Sequence, residues 1–243
     1  MGFLRILGSS SKGNCYILES NNDKLIIELG VNWSKVKKAL GYSFSNVVGA
    51  ICSHRHGDHS KYINNALKDG ITVYSNSDVV EMNNGVTLME LGKKTKLGSF
   101  IIQPIPMNHD VECYGYLIED NENGRTLFIT DTCDVDYKFK DITNFLVEAN
   151  YSDEVLIEQF VKSEVKLYAR CRIDESHLSL EKAIKFINSS INTNTKTIVL
   201  LHLSAGNSDA KTFISDIRNF TGLQNVYVAD KDMNLDLNKK GIF

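Results

Sequence analysis

The sequence is poor in the features that mark several classes of protein. Only 2 of its 243 residues are proline, and its 5 cysteines are scattered, with no CxxC pair. A disulfide-stapled domain is therefore not expected, and reduced thiols fit better. Acidic residues outnumber basic ones by 30 to 27. The chain consequently has no broad basic field, so any contact with a nucleic acid must be local or carried by bound metal ions.

Long apolar runs are also missing. No stretch approaches the length of a membrane span, and the opening MGFLRIL is too short for the apolar core of a secretion signal. We therefore expect a cytoplasmic protein without membrane contact. Repeats and linkers are absent as well, and the length predicts one domain over residues 1–243, whose oligomeric state cannot be read from the sequence.

Short apolar runs alternate with turn signals, which predicts mixed sheets covered by helices. The predicted strands are Phe3–Leu7, Asn14–Glu19, Leu25–Leu29, Val47–Cys52, Ile71–Ser75, Gly85–Met89, Thr95–Gln103, Tyr114–Ile118, Thr126–Thr130, Phe145–Asn150, Thr197–His202 and Val226–Ala229. The predicted helices are Asn32–Leu40, Asp58–Leu67, Glu154–Ala169, Ser179–Asn188 and Ala210–Asn219.

Histidine is scarce, with 6 residues in the chain, yet three of them lie in the stretch ICSHRHGDHS. Neutral imidazoles and carboxylates are costly to bury unpaired, so HxHxDH favours metal binding over a packing role. His54 and His56 are two apart and can turn toward one ion. Asp58 and His59 come one turn later and can face a second ion.

Four further residues of the same chemistry stand at predicted strand ends or before a predicted helix: His109, Asp131, His177 and His202. A lone histidine in such a place is usually structural, so these residues gain weight only together with HxHxDH. The carboxyl ends of strands are where α/β sheets gather their chemistry. A carboxylate shared by two ions would hold them together, and Asp131 is the natural candidate.

The order of these residues resembles the metallo-β-lactamase superfamily. Finer similarity to the WalJ/YycJ-type nucleases, relatives of tRNase Z and RNase J, lies in GSSSKGNCYILES, NHDVECYGYLIED, FITDTCDV, LVEANYSDE, SHLSLEKA and LLHLS. The resemblance covers nearly the whole chain and implies an α/β (α+β) fold, a four-layer αββα sandwich. The interval from Asp131 to His177 is too short for the β-CASP insertion of RNase J-like enzymes. The implied activity is metal-dependent hydrolysis of phosphodiesters in DNA or RNA, of the exonuclease type.

The resemblance also implies a role for each residue. The first ion would be bound by His54, His56 and His109, the second by Asp58, His59 and His202, with Asp131 between them. The two divalent ions would be zinc, with manganese as the alternative, and would activate a water that Asp58 helps to orient. Glu148 and His177 would form a pair that protonates the leaving oxygen, unless His177 merely caps the next helix.

Two positions depart from the superfamily pattern. Glu28 stands where an aspartate is usual, although the longer carboxylate can still reach the metal loop as an acceptor. HLSAGNSD replaces the expected Glu-Asn-Asn after HLS, which affects substrate contacts near Ser204 but not His202 as a ligand.

The substrate leaves more than one hypothesis open. The basic residues that could line a path for a phosphate backbone, or merely form a solvated helix face, are Lys162, Lys166, Arg170 and Arg172. The alternative is a small-molecule ester or thioester hydrolase of the glyoxalase- or lactonase-like branch, which the acidic charge balance favours slightly. A non-catalytic binding module would have lost a ligand residue, and none is missing here.

Overall fold

The computed structural model describes residues 2–162, 176–204, 206 and 208–239. In these residues the strands are β1 Phe3–Gly8, β2 Cys15–Ser20, β3 Asp23–Ile27, β4 Val47–Ile51, β5 Val73–Ser75, β6 Thr87–Leu88, β7 Thr95–Leu97, β8 Phe100–Met107, β9 Cys113–Asp120, β10 Gly124–Ile129, β11 Asn144–Glu148, β12 Thr197–Leu201, β13 Val226–Val228 and β14 Met233–Asp236. The helices are α1 Trp33–Ala39, α2 Gly57–Ser60, α3 Ile63–Lys68, α4 Ser77–Met82, α5 Asp153–Lys162, α6 Leu180–Ser190 and α7 Ala210–Thr221.

The strands form two mixed sheets of 7 strands each. The first has the order β14-β1-β2-β3-β4-β5-β6, and β3 to β6 run parallel to one another. The second has the order β13-β12-β11-β10-β9-β8-β7, and β10 to β13 run parallel. Each sheet thus joins an antiparallel half to a parallel half, and the parallel strands end at one edge.

Three apolar clusters define the layers. The largest lies between the sheets and combines Leu18 and Ile27 of the first sheet with Phe128 and Val199 of the second. A second cluster packs α6 and α7 on the outer face of the second sheet, and a third packs α1, α3 and α4 on the first. Apolar residues on both faces of each sheet therefore produce the four-layer αββα sandwich, as the resemblance implied.

Polar residues at the helix ends explain where several helices begin. Asn32, Ser179 and Asp209 each accept a hydrogen bond from a backbone N–H in the first turn of α1, α6 and α7. Such side chains satisfy amide groups that have no partner within the helix. At the other end of α7, Gly222 takes a φ of 77°, the left-handed conformation typical of a helix stop.

Some predicted elements were wrong in detail. Thr95–Gln103 is not one strand but the hairpin β7–β8, which turns at Gly98 with a φ of 55°. The helix predicted over Asp58–Leu67 is broken into α2 and α3. Helix α4 and the final strand β14 were not predicted, because short elements with weak periodicity depend on tertiary pairing. The part of Glu154–Ala169 beyond residue 162 lies outside the described residues, and no described helix is long and apolar enough to cross a membrane.

Candidate metal centre

The candidate donor side chains meet because the strands that precede them point in one direction. His54 to His59 follow β4 in the first sheet. In the second sheet β8 and β10 both run antiparallel to β9, so His109 and Asp131 leave the same edge. His202 leaves that edge after β12, which runs parallel to β11. The donor side chains of the two sheets therefore meet where the two sheet edges face each other.

Three histidines form the first set of donors. Ring nitrogens of His54, His56 and His109 all lie within 4.8 Å of one another. His109 Nε2 is 3.2 Å from His56 Nδ1. The Nδ1 of His54 is 2.8 Å from Ser53 Oγ, which leaves Nε2 of this buried ring facing the site. These atoms could therefore serve as three ligands of one ion.

Asp58, His59 and His202 form the second set, again with donor atoms within 4.8 Å of one another. Asp58 Oδ2 lies 3.3 Å from Nε2 of each of the two histidines. Asn14 holds the carboxylate in place, because its amide Nδ2 donates to Asp58 Oδ2 at 3.3 Å.

Asp131 lies between the two sets and contacts both. Its Oδ2 is 3.5 Å from His54 Nε2 and 2.6 Å from His59 Nε2, while Oδ1 is 2.9 Å from His202 Nδ1. Asp131 and His202 have positive φ angles of 45° and 53°. A non-glycine residue in this region costs about 1–3 kcal/mol, and such strain is concentrated at functional sites.

Unpartnered buried atoms test whether this centre suits a metal. His54 Nε2 and His109 Nδ1 are buried without a hydrogen-bond partner among the described residues. Leaving one such atom unpaired costs about 1–3 kcal/mol, which a bound cation would offset at the atoms that face it. Imidazole and carboxylate donors suit borderline divalent cations. The residues therefore fit divalent metal ions.

The electrostatics of His54 and Asp131 suit a metal site. Burial, reinforced by the charge of His59, holds the pKa of His54 well below its usual value, so its ring is neutral. Burial raises the pKa of Asp131, but the charges of His202 and His59 outweigh it and hold that pKa well below the usual range. Burial lowers the pKa of His59 and of His202, but Asp131 raises both well above the usual value, so a bound cation would displace a proton from each of these rings.

Glu148 and His177 form a further pair at the edge of the cluster. Glu148 is fully buried, and its Oε1 accepts from His177 Nδ1 at 2.7 Å. Its Oε2 accepts from the backbone N–H groups of Thr132 and Leu178, each at 3.2 Å. Burial lowers the pKa of His177, but Glu148 and the hydrogen bonds to Asp131 and Glu148 raise it to about 10.

Known proteins share the architecture, and one is similar in sequence over nearly the whole chain. The protein YhfI from Bacillus subtilis, which has a metallo-β-lactamase fold, superposes with a TM-score of 0.73 over 97% of this chain and 100% of its own, at 15% identity. The chain has the metallo-β-lactamase fold. The predicted four-layer sandwich and the resemblance to this superfamily are therefore confirmed.

Two more solved structures with this fold are similar. A diphosphatase of the PhnP family has a TM-score of 0.70 at 11% identity, with 100% of both chains covered. The short form of human tRNase Z has a TM-score of 0.64 at 14% identity, with 97% of this chain and 99% of its own covered. No protein-family model matches the sequence.

In sequence, the chain is similar to exodeoxyribonuclease WalJ of Streptococcus pneumoniae. The two are 26% identical over 253 aligned residues, which cover 95% of this chain and 90% of WalJ. Because the aligned region extends over nearly the full length of both proteins, every candidate donor described above lies within it. It agrees with the WalJ-type motifs recognised in the sequence.

Glu28 occupies the position where the metallo-β-lactamase superfamily usually has aspartate. Its side chain is fully buried, and Oε1 accepts from the Ser53 N–H at 3.1 Å. Oε2 lies 3.4 Å from His59 Nδ1, on the far side of the ring from Asp131. The longer carboxylate thus reaches the metal loop behind one of the candidate ligands.

All seven predicted ligand residues lie in the cluster, but other predicted contacts cannot be placed. Lys162 ends α5, and nothing is described of its side chain, while Lys166, Arg170 and Arg172 lie outside the described residues. Sequence reasoning missed Asn14 and Asp110. Asn14 Nδ2 lies 2.9 Å from His59 Nε2, and Asp110 Oδ1 lies 3.0 Å from His109 Nε2. Asn14 ends the GSSSKGN motif, which was the available signal.

Proposed function

We propose that this protein is a metal-dependent phosphodiesterase that degrades DNA or RNA as an exonuclease. One observation carries the proposal: two sets of three donors meet at Asp131, with the Glu148–His177 pair beside them. The full-length similarity to an exodeoxyribonuclease supports a nucleic-acid substrate, and the diphosphatase and tRNase Z structures share the fold.

Two divalent ions would occupy the centre. The first would be bound by His54, His56 and His109, and the second by Asp58, His59 and His202. Asp131 would bridge them, since its carboxylate contacts both sets. Zinc suits the histidine-rich donors, and manganese is the alternative. Ions so held would lower the pKa of a water molecule and stabilise negative charge at phosphorus.

Two residues of the chain would orient the attacking water and protonate the leaving oxygen. Asp58 would orient the attacking water, because its partly exposed carboxylate stands at the mouth of the second set. His177 Nδ1 is engaged by Glu148, so Nε2 remains for the leaving oxygen of the nucleic acid. With the pKa raised to about 10, the ring keeps its proton at neutral pH and can donate it.

Substrate assays separate this function from its alternative. Purified, metal-loaded protein should hydrolyse end-labelled single- or double-stranded DNA or RNA and a small phosphodiester reporter. Shortening from one end, rather than internal cutting, is expected of an exonuclease. Metal-dependent turnover of a thioester panel, without any phosphodiester hydrolysis, would overturn the proposal in favour of the small-molecule hydrolase.

Two substitutions test the assigned roles. Asp58→Ala should lose activity and weaken one metal position, because it removes a donor and the water-orienting carboxylate. His177→Ala should keep both ions but turn over roughly 10²–10⁴-fold more slowly, the usual contribution of general acid–base catalysis. Metal analysis and kcat report these effects separately, and Asp216→Ala on the outer helix α7 is the matched control.

A His177→Ala enzyme of unaltered rate would contradict the proton-donor role. Loss of both ions from that variant would instead show a purely structural role. The single-domain organisation and the cytoplasmic location stay predictions.

A further inference from the structure

A groove runs along the first sheet beside the second set of donors. It encloses about 840 Å³, within the range of ligand-binding clefts. Its walls come from the loop between β1 and β2, from the segment after β3, from the start of α2 and α3, and from residues 229–231. Asp58 is one of the lining residues, so the groove borders the second set of donors.

The groove is lined by four lysines and by two aspartates, Asp58 and Asp230, so its formal charge is positive although the whole chain has a net charge of −3. Lys12, Lys35 and Lys61 line it with exposed side chains. None of these three forms an ion pair with another described residue, whereas the fourth lysine, Lys231, lies 3.7 Å from Asp232. Three unneutralised cations beside an anion-cleaving centre indicate an anionic ligand.

The groove wall nearest the metal centre is hydrogen-bonded to the backbone of Asp58. Asn14 N–H donates to Asp58 O at 2.7 Å, and Gly30 N–H donates to Asn14 O at 2.9 Å. A Cβ on Gly30 would overlap the backbone of Asp58, so these segments pack at the closest possible approach. This wall of the groove therefore has a fixed position relative to Asp58.

Two other features select the kind of anion. Ser10 and Ser11 add hydroxyl groups to the wall. Tyr62 adds a half-buried aromatic ring that packs on the apolar cluster of the first sheet, and Lys61 Nζ lies 5.8 Å from its centroid. A basic groove that follows the backbone, together with an aromatic surface for bases, is the usual design of single-strand binding sites.

We propose that this groove binds the phosphate backbone of a single-stranded nucleic acid and leads it to the metal centre. Its phosphates would contact Lys12, Lys35 and Lys61, and Lys61 would turn from the ring of Tyr62 to a phosphate, which leaves that ring to a base. The inference rests on the proposed nuclease function and names where its substrate lies. It differs from the basic path predicted before His177, since none of these lysines belongs to that segment.

Charge reversal in the groove tests the proposal. The double variant Lys35→Glu/Lys61→Glu is compared with Lys96→Glu/Lys185→Glu, which reverses two exposed lysines on β7 and α6. Binding of a labelled single-stranded phosphorothioate oligonucleotide, which resists cleavage, is measured over a series of salt concentrations. Turnover of an ordinary oligonucleotide is measured as a ratio to turnover of the small phosphodiester reporter.

The groove variant should bind the oligonucleotide about tenfold or more weakly at low salt. Its slope of log affinity against log salt should be shallower by roughly 1.4, since each single-strand phosphate contact contributes about 0.7. The oligonucleotide-to-reporter ratio should fall in parallel, and the control should match the unaltered protein. Thermal unfolding and metal content verify that both variants are folded.

Equal binding and equal slopes in the groove and control variants would overturn the groove while leaving the nuclease function intact. Failure of the unaltered protein to hydrolyse either phosphodiester would instead overturn the proposed function. In that case the binding measurements still test the groove proposal. If the unaltered protein does not bind the oligonucleotide, the groove proposal is refuted.

Discussion

Buried polar side chains behind the donors decide how each donor is aimed. Glu28 lies behind His59, Asn14 holds Asp58, and Glu148 contacts both His177 and His202. Each is paired with a candidate ligand or proton donor, and such outer partners commonly tune metal affinity.

Replacement of Glu28 tests this role. Glu28→Gln keeps the shape and the acceptor for the Ser53 N–H but removes the negative charge 3.4 Å from His59 Nδ1. We expect metal affinity to fall about 10- to 100-fold, as is typical when such a partner is lost. Competition with a chelator measures the affinity.

The control for this change is Glu119→Gln, which alters a carboxylate on β9 that pairs with Lys94 and Arg125 far from the centre. Equal metal affinity in the two variants would show that Glu28 acts only through packing.

Among the elements, α4 shows how a short helix can support the centre. It has 6 residues, too few to be stable alone. The buried Asn76 begins it by accepting from the Val79 N–H, and the same side chain donates to Ser53 O at 3.0 Å and Glu112 O at 2.7 Å. One amide thus joins α4, the start of the metal loop and the segment before β9.

Asn76→Ala should therefore destabilise the protein by about 2–3 kcal/mol, because two buried carbonyls lose their donor and a helix loses its cap. For a chain of this size the melting temperature should fall by roughly 4–12 °C. Thermal unfolding of the metal-loaded protein measures the change.

Asn32→Ala, which removes the exposed cap of α1, is the control, and it should cost about 1 kcal/mol or less. If Asn76→Ala lowers the free energy of unfolding no more than Asn32→Ala does, then Asn76 does not stabilise the protein by joining α4 to the metal loop.

At the scale of the whole molecule, the candidate centre closes the gap between two sheets. His54 and His59 follow the first sheet, whereas Asp131 and His202 follow the second, and all four are buried. Their contacts cross from one sheet edge to the other. At this seam the buried His54 Nε2 has no hydrogen-bond partner within the described part of the protein.

Metal removal should accordingly lower stability. At free metal about 1,000-fold above Kd, binding adds about 4 kcal/mol to the folded state, which corresponds to roughly 8–16 °C in melting temperature. Unfolding is measured before chelation, after it and after reloading, with Asp131→Ala as the variant that should respond little. An unchanged melting temperature, with metal analysis showing complete removal, would contradict this expectation.

Much of the candidate centre could be predicted from local sequence. HxHxDH brings His54, His56, Asp58 and His59 into one loop whatever the rest of the chain does, since the four lie within six positions. The buried strands before them were predicted because apolar runs bounded by turn signals have few other interpretations. Fold class followed from the order of these elements together with the resemblance they carry.

Tertiary structure alone decided how distant segments combine. Thr95–Gln103 reads as one strand, but pairing of β8 with β9 and a left-handed turn at Gly98 make it a hairpin. Lys12, Lys35 and Lys61 are far apart in sequence and carry no shared pattern, yet packing of the loop after β1 against the start of α2 lines them along one groove. Spacing determines which residues share a loop, whereas only the approach of separate strands and loops determines which charges share a cavity.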